Sequence, residues 1–77
     1  NPVSDYTELQ FELMANEEIE IGVLDNFGRR IQTILPTQIL PAGQYRRQID
    51  TSNLAVGVYF VVIQSGSGQE SLRMMKI

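Results

Sequence analysis

Four carboxylates lie close together in the first third of the sequence, at Glu17, Glu18, Glu20 and Asp25. Carboxylates at this spacing could serve acid–base hydrolysis or bind calcium. Hydrolysis, however, needs two carboxylates in different environments across a cleft, and calcium loops place oxygen ligands at alternate positions around a glycine. Because these residues fall on and beside a predicted half-exposed strand, we interpret them as a solvated face. We predict neither a catalytic residue nor a metal site.

Nucleophilic chemistry has no support in the residue types present. The chain contains no His and no Cys, which removes the commonest general base, the commonest nitrogen ligand for metals and all thiol reactions. A nucleophilic serine needs an adjacent base. The Gly66-Ser67-Gly68 triplet precedes no helix whose amides could hold a phosphate, so we expect a hairpin turn there. The sequence predicts a protein that is not an enzyme and has no cofactor.

Basic residues form two adjacent pairs and two isolated charges near the C-terminus: Arg29-Arg30, Arg46-Arg47, Arg73 and Lys76. Adjacent residues on a strand point to opposite faces, so neither pair makes one patch. We expect solvated or snorkelling charges, with Arg47 at an inward position that discourages edge-to-edge pairing. For Arg73 and Lys76, a recognition role on an accessible strand is the alternative.

Length and charge restrict the protein class further. The 77 residues are expected to form a single domain over residues 1–77, with a modest core from 43% hydrophobic residues. A net charge of −3 disfavours nucleic-acid binding. No apolar run approaches the roughly 20 residues of a membrane-spanning helix, so we predict no membrane insertion. Because the chain starts at Asn1 and not at Met, we expect it to be the C-terminal part of a larger protein.

The elements that position these residues are short strands around one apolar run. Residues 53–63 form the longest apolar stretch, and they predict a turn followed by a central strand at 58–64, buried on both faces. Strict alternation at residues 6–13 and again at 18–24 predicts two half-exposed strands, which we expect to pair as a hairpin. A tight turn is expected at Asp25-Asn26-Phe27-Gly28, where Gly28 can adopt a positive φ.

The remaining segments continue the same pattern. A third strand is expected at 29–35, ended by Pro36, and then a loop to Gly43 with Ile39 and Leu40 against the core. A fourth strand follows at 44–49, and residues 50–54 predict a single helical turn with N-cap chemistry. The last strand is expected at 70–77. Six short strands without helical periodicity predict an all-β sandwich.

Taken in order, the turns and strand starts resemble one family. The matching motifs are Asn1-Pro2-Val3-Ser4-Asp5, Val23-Leu24-Asp25-Asn26-Phe27-Gly28-Arg29, Leu40-Pro41-Ala42-Gly43-Gln44-Tyr45, Asp50-Thr51-Ser52-Asn53-Leu54-Ala55-Val56-Gly57-Val58-Tyr59-Phe60 and Arg73-Met74-Met75-Lys76-Ile77. The chain resembles the C-terminal sorting domain (type A) of the type IX secretion system of Bacteroidetes over essentially its whole length. It departs at Arg47, where an apolar residue is usual, and at Arg73, where Lys is common. The aromatic-Pro pair that usually precedes Asn-Pro is also missing.

This resemblance implies a small immunoglobulin-like β-sandwich of six to seven mostly antiparallel strands at the C-terminus of a cargo protein. It implies an exported protein that passes from the periplasm through an outer-membrane translocon to the cell surface. A surface sortase of cysteine-peptidase type then usually removes the domain upstream of Asn1 and joins the cargo to anionic lipopolysaccharide. The residues that the resemblance assigns to segments important for export are Asp25, Gly28, Gly57, Tyr59, Arg73 and Lys76.

A physical hypothesis accompanies the resemblance. A label that a translocon recognises should present a strand edge, since added strands bind through backbone hydrogen bonds. We expect the last strand and the corner at residues 57–59 to form that surface, with protein components of the translocon and sortase as partners. The exposed edge also allows a homodimer. The alternatives are a non-catalytic adhesive or carbohydrate-binding module of a surface protein, and a structural spacer.

Overall fold

The structure, a computed structural model, describes residues 2–77, and those residues contain strands and turns but no helix. The strands are β1 (Pro2–Val3), β2 (Tyr6–Leu13), β3 (Glu17–Asp25), β4 (Arg30–Leu40), β5 (Gly43–Asp50), β6 (Gly57–Ser65) and β7 (Gly68–Lys76). Apart from β1, which runs parallel to β7, all paired strands are antiparallel. The all-β prediction is confirmed.

The strands form two sheets that share one core. The larger sheet has the order β1-β7-β6-β3-β4, and the smaller sheet consists of β2 and β5. The buried cluster combines Ile19, Ile21 and Val23 of β3 with Leu9 of β2 and Ile49 of β5. Strand β6 lies at the centre of the larger sheet, as the apolar run predicts. Two sheets enclosing a common apolar cluster fit the expected sandwich, and the immunoglobulin-like connectivity stays a prediction.

The predicted hairpin between residues 6–13 and 18–24 is wrong. Strand β2 pairs with β5, whereas β3 pairs with β4 and β6 in the other sheet. Residues 14–16 therefore carry the chain from one sheet to the other. Alternation identifies which face of a strand is buried, but it contains no information about the strand's partner.

The predicted end of the third strand at Pro36 is also wrong. Strand β4 continues through Pro36 to Leu40, so most of the expected loop is strand. Because β4 pairs only with β3 among the described strands, an edge position tolerates a residue that donates no hydrogen bond. Leu40 is buried as expected. The prediction that Ile39 packs against the core is wrong, because its side chain is exposed.

The helical turn predicted at residues 50–54 is a β-turn. The amide of Leu54 donates to the Thr51 carbonyl at 3.1 Å. The Asp50 carboxylate accepts hydrogen bonds from the Ser52 amide at 2.9 Å and the Ser52 hydroxyl at 2.6 Å. The expected capping chemistry is present, but it closes a turn and no helix follows. Thr51 is fully buried, and its hydroxyl donates to the Ser4 carbonyl at 3.0 Å.

Candidate functional site

Two turns that are distant in sequence meet at one end of the larger sheet. The first is the turn between β3 and β4, and the second leads from Ala55 into β6. The strand register places Asp25 opposite Tyr59 and Tyr59 opposite Met74. Gly57 lies opposite Lys76, and Arg73 lies opposite Phe60 two rungs further along. The residues predicted for the site and gathered at this end are Asp25, Gly28, Gly57, Tyr59, Arg73 and Lys76.

Asp25 closes the first turn with its carboxylate. Its Oδ1 accepts hydrogen bonds from the amides of Phe27 at 2.8 Å and Arg29 at 2.9 Å, and its Oδ2 accepts one from Arg29 Nε at 2.8 Å. The hydrogen bond from the Arg29 amide is the main cause of a pKa lowered from the ordinary 3.8, and the other bonds and the Arg29 charge add to it. Gly28 has a φ of 82°, which favours glycine. This turn is therefore closed by hydrogen bonds to the Asp25 carboxylate, which also pairs with the largely exposed Arg29 side chain.

The first turn also projects an aromatic side chain into solvent. Phe27 is 81% exposed, and the Arg29 guanidinium lies 5.5 Å from the centre of its ring. Val56, which is 78% exposed, lines the same shallow surface depression as Phe27, together with Gly57 and Val58. The sequence interpretation assigned Phe27 and Val56 to turns and did not single them out. The available signal was a large apolar residue inside a tight turn, where no core lies within reach.

Tyr59 holds the second turn. Its ring is buried, with 8% exposure, and its hydroxyl donates to the Ala55 carbonyl at 2.7 Å. Between these two residues Gly57 has a φ of 155°, which other residues rarely adopt. A tyrosine at a strand start that bonds a carbonyl a few residues upstream is known as a tyrosine corner. The corner determines the direction in which the chain enters β6.

The same corner occurs a second time, before β5. The Tyr45 hydroxyl donates to the Pro41 carbonyl at 2.5 Å, and Gly43 has a φ of 152°. Both corners carry the pattern Leu-x-x-Gly-x-Tyr, at residues 40–45 and 54–59, and both follow a crossing from one sheet to the other. The sequence therefore contains a short structural repeat that strand periodicity does not reveal.

Lys76 is buried, and the prediction of a solvated charge at this position is wrong. It is 8% exposed, and its ammonium group donates to the carbonyls of Thr51, at 2.8 Å, and Ser4. Alternation along β7 places Lys76 on the same inward face as Met74. A buried ammonium group requires hydrogen-bond acceptors, and these two carbonyls provide them. Arg73 points to the opposite face and is exposed, as predicted.

The Lys76 ammonium group lies at the junction of three segments. The residues around Ser4 lead into β2, the residues around Thr51 lead out of β5, and β7 supplies the lysine. The Thr51 amide also donates to the Asp5 carbonyl at 2.9 Å. Hydrogen bonds from Ser52 lower the pKa of the Asp50 carboxyl below 3.8, and the Lys76 charge contributes a smaller part. Lys76 thus joins the two ends of the described chain.

Among residues 2–77 no three His, Cys, Asp or Glu side chains lie close enough to hold a metal ion. No helix in that range is long and apolar enough to cross a membrane. The surface at this end of the larger sheet consists of the two turns, the exposed side chains of Phe27 and Val56, and the Arg29 charge, and Arg73 is exposed on the outward face of β7.

The relationship of this chain to known proteins is at the level of a protein family. No curated protein matches the chain. A family model described as the secretion system C-terminal sorting domain matches residues 1–76. The match covers every strand of the fold and all the residues gathered at this end of the larger sheet. The chain belongs to the family of type IX secretion system C-terminal sorting domains.

Proposed function

We propose that this sorting domain is recognised by the secretion machinery through the end of the larger sheet where its two turns meet. The observation that carries the proposal is that the strand register brings Asp25, Gly57, Tyr59, Arg73 and Lys76, predicted from separate motifs, to the same end of the larger sheet. The recognition partner is a protein component of the outer-membrane translocon. Recognition directs the cargo from the periplasm to the cell surface, which fits the export that a secretion signal implies.

The residues of this surface divide into supports and contacts. Asp25, Gly28, Gly57, Tyr59 and Lys76 shape the turns and hold the chain ends, and their side chains are bonded or buried, or absent in the glycines. Phe27 and Val56 are exposed and available to a partner. Aromatic side chains such as that of Phe27 are enriched at the cores of protein–protein interfaces. Arg73 is exposed on the face of β7 opposite Met74 and Lys76 and adds a positive charge there.

The experiment that tests this proposal is export of the parent protein carrying Phe27→Ser and Val56→Ser together. Both side chains are exposed, so we expect an unchanged melting temperature together with accumulation of the cargo in the periplasm. The matched control is Ile39→Ser, which removes an exposed apolar side chain from the edge strand β4 and should leave export normal. Normal surface export of the double variant contradicts the proposal.

The later steps belong to the same proposal. After export, a surface sortase of cysteine-peptidase type removes the domain by cutting upstream of Asn1 and joins the cargo to anionic lipopolysaccharide. The domain acts in this process as a label and a substrate and catalyses no step. Mass spectrometry of the surface-bound cargo tests this: a C-terminus upstream of Asn1 linked to a glycolipid is expected, whereas surface cargo that still carries residues 1–77 contradicts it.

A further inference from the structure

An open slot runs along one side of the sandwich, between the edge of β2 and the edge of β7. Two adjoining depressions form it, lined by residues 7–13 of β2 and by residues 68–70 and 72–74 of β7. Among the described strands β2 pairs only with β5, and β7 pairs with β6 along its whole length but with β1 only at its end. Most of β7 therefore presents an unpaired backbone edge to the slot.

Strand β1 already fills one end of this slot. Pro2 and Val3 pair with Met75 and Lys76, and the Ile77 amide donates to the Val3 carbonyl at 2.9 Å. Val3 is buried in the core cluster. Met74 of β7 belongs to the same core cluster as Val3 and is 5% exposed. Leu72 lies two residues before Met74 on the same inward face of β7, beyond the end of β1. Its side chain is 46% exposed.

The direction of β1 determines where the preceding polypeptide goes. Since β1 is parallel to β7, each residue further upstream lies opposite a residue earlier in β7. Counted from Pro2 opposite Met75, the second residue before Asn1 falls opposite Leu72. A strand rises about 3.3 Å per residue, so roughly six residues reach from β1 to the start of β7. Side chains that share the face of Val3 point into the slot.

We propose that the polypeptide immediately upstream of Asn1 continues β1, pairs in parallel with residues 68–73 of β7 and fills the slot. The linker between cargo and label is then part of the folded domain. This inference rests on the proposed function only in that a cargo precedes the domain. In the intact cargo the edge of β7 is occupied by the chain's own linker, so it becomes free for another strand only when that linker is removed.

Disulfide trapping in the parent protein tests the proposed register. Residues 1–77 contain no Cys, and any upstream cysteine is replaced by Ser. One new cysteine replaces the second residue before Asn1, and the other is Leu72→Cys. Neighbouring strands lie about 4.8 Å apart, within the range that a disulfide spans. We expect an intramolecular disulfide in most molecules under mild oxidation.

The matched control is Ser71→Cys with the same upstream cysteine. Ser71 is adjacent to Leu72 but points to the opposite face, so this pair should remain unlinked. Equal cross-linking in both pairs indicates a mobile linker and overturns the proposal. A disulfide between two molecules indicates that a second copy fills the slot and overturns it as well, as does the absence of any cross-link.

Hydrogen exchange gives a second measurement that needs no cysteine. Replacing the six residues before Asn1 by alternating Gly and Pro removes strand-forming capacity there. We expect the β7 amides that face away from β6 to exchange about tenfold faster or more, with the β3 and β6 amides unchanged. Unchanged β7 exchange overturns the proposal.

The outcomes for the slot and for the recognition surface are separable. If the linker is trapped by the disulfide but the Phe27 and Val56 double variant is exported normally, the proposal for the slot is supported and the proposal for the recognition surface is contradicted. If the linker is not trapped but the double variant loses export, the recognition surface is supported and the slot proposal is contradicted.

Discussion

Two of the crossings between the sheets pass through corners with the same hydrogen bond and the same glycine and tyrosine spacing, yet the surroundings of the two corners differ. The corner at residues 40–45 leads into the two-stranded sheet, where Tyr45 is half-buried and stacks on Phe11 with ring centres 5.2 Å apart. The corner at residues 54–59 leads into the central strand of the larger sheet. There Tyr59 is buried, with Asp25 on one side and Met74 on the other in the strand register.

This difference shows how one local pattern can have two structural roles. Glycine and tyrosine at the same spacing produce the same hydrogen bond and the same positive φ in both corners. The consequence of disturbing a corner depends on the strands around it. Damage at Tyr45 should remain within the smaller sheet, whereas damage at Tyr59 should reach the candidate recognition surface and the C-terminal strand.

The largest effect is expected from deleting residues 73–77, which removes the strand partners of Tyr59 and Gly57 and leaves the first corner intact. A domain of this size has a total stability of about 5–15 kcal/mol, and the deletion removes buried Met74 and Lys76 together. We expect loss of a cooperative melting transition and retention of the cargo in the periplasm. A truncated domain that still melts cooperatively but is not exported would instead make this segment a recognition element. Normal surface export of the truncated cargo would contradict both roles.

Removing each tyrosine ring compares the two corners directly. Tyr59→Ala should lower the free energy of unfolding by about 3–5 kcal/mol, the range for a buried aromatic residue. Tyr45→Ala should lower it by about 1–2 kcal/mol, because its ring is half-exposed and loses mainly the stack on Phe11. Urea denaturation measures both values. Equal losses would show that the surroundings of the corners do not matter.

Substitution of Lys76 tests the hydrogen bonds that join β7, which pairs with the second corner at Gly57, to the segments around Ser4 and Thr51. Lys76→Met should cost about 1.5–3 kcal/mol, the contribution of hydrogen bonds to a charged group, because the carbonyls of Ser4 and Thr51 each lose the charged one of their two donors. Arg73→Met, a charge removed from the exposed face of the same strand, is the control and should change stability little. A larger loss from the Arg73 variant would mean that the charges of β7 are assigned to the wrong roles.

Removing only the hydroxyl groups should give smaller effects. Tyr59→Phe should cost about 1 kcal/mol, because it removes the part-buried hydrogen bond from the tyrosine hydroxyl to the Ala55 carbonyl. Tyr45→Phe should cost about 0.5 kcal/mol, since water can replace the hydroxyl at the exposed Pro41 carbonyl. Thermal denaturation of the two variants, run in parallel, measures this difference.

The smallest expected effect is a pH dependence at the turn beside the second corner. The folded pKa of Asp25 lies below the ordinary 3.8, so its stabilisation is fully present above that value and is lost as the pH falls through the folded pKa. The amides of Phe27 and Arg29, which donate to this carboxylate, should shift in NMR spectra at low pH. In Asp25→Asn this titration should disappear, and its persistence would assign it to another group.

Much of the fold follows from local patterns. The alternation in β2 and β3 and the apolar run of β6 predict strands and their buried faces, because side chains alternate with a period of two. The turn at Asp25 and Gly28 is likewise local, since the carboxylate and the glycine act within five residues. The candidate site residues were available only through the family resemblance, because no residue among them carries a chemical group unusual enough to identify itself.

The sequence by itself determined an all-β protein, the central position of residues 58–63 and the tight turn at Asp25. Only the tertiary structure decided the partner of β2, the continuation of β4 through Pro36 and the burial of Lys76. Each of these depends on contacts between residues far apart in the chain, which periodicity does not encode. Burial of a lysine, in particular, becomes favourable only when folding brings two distant carbonyls to its ammonium group.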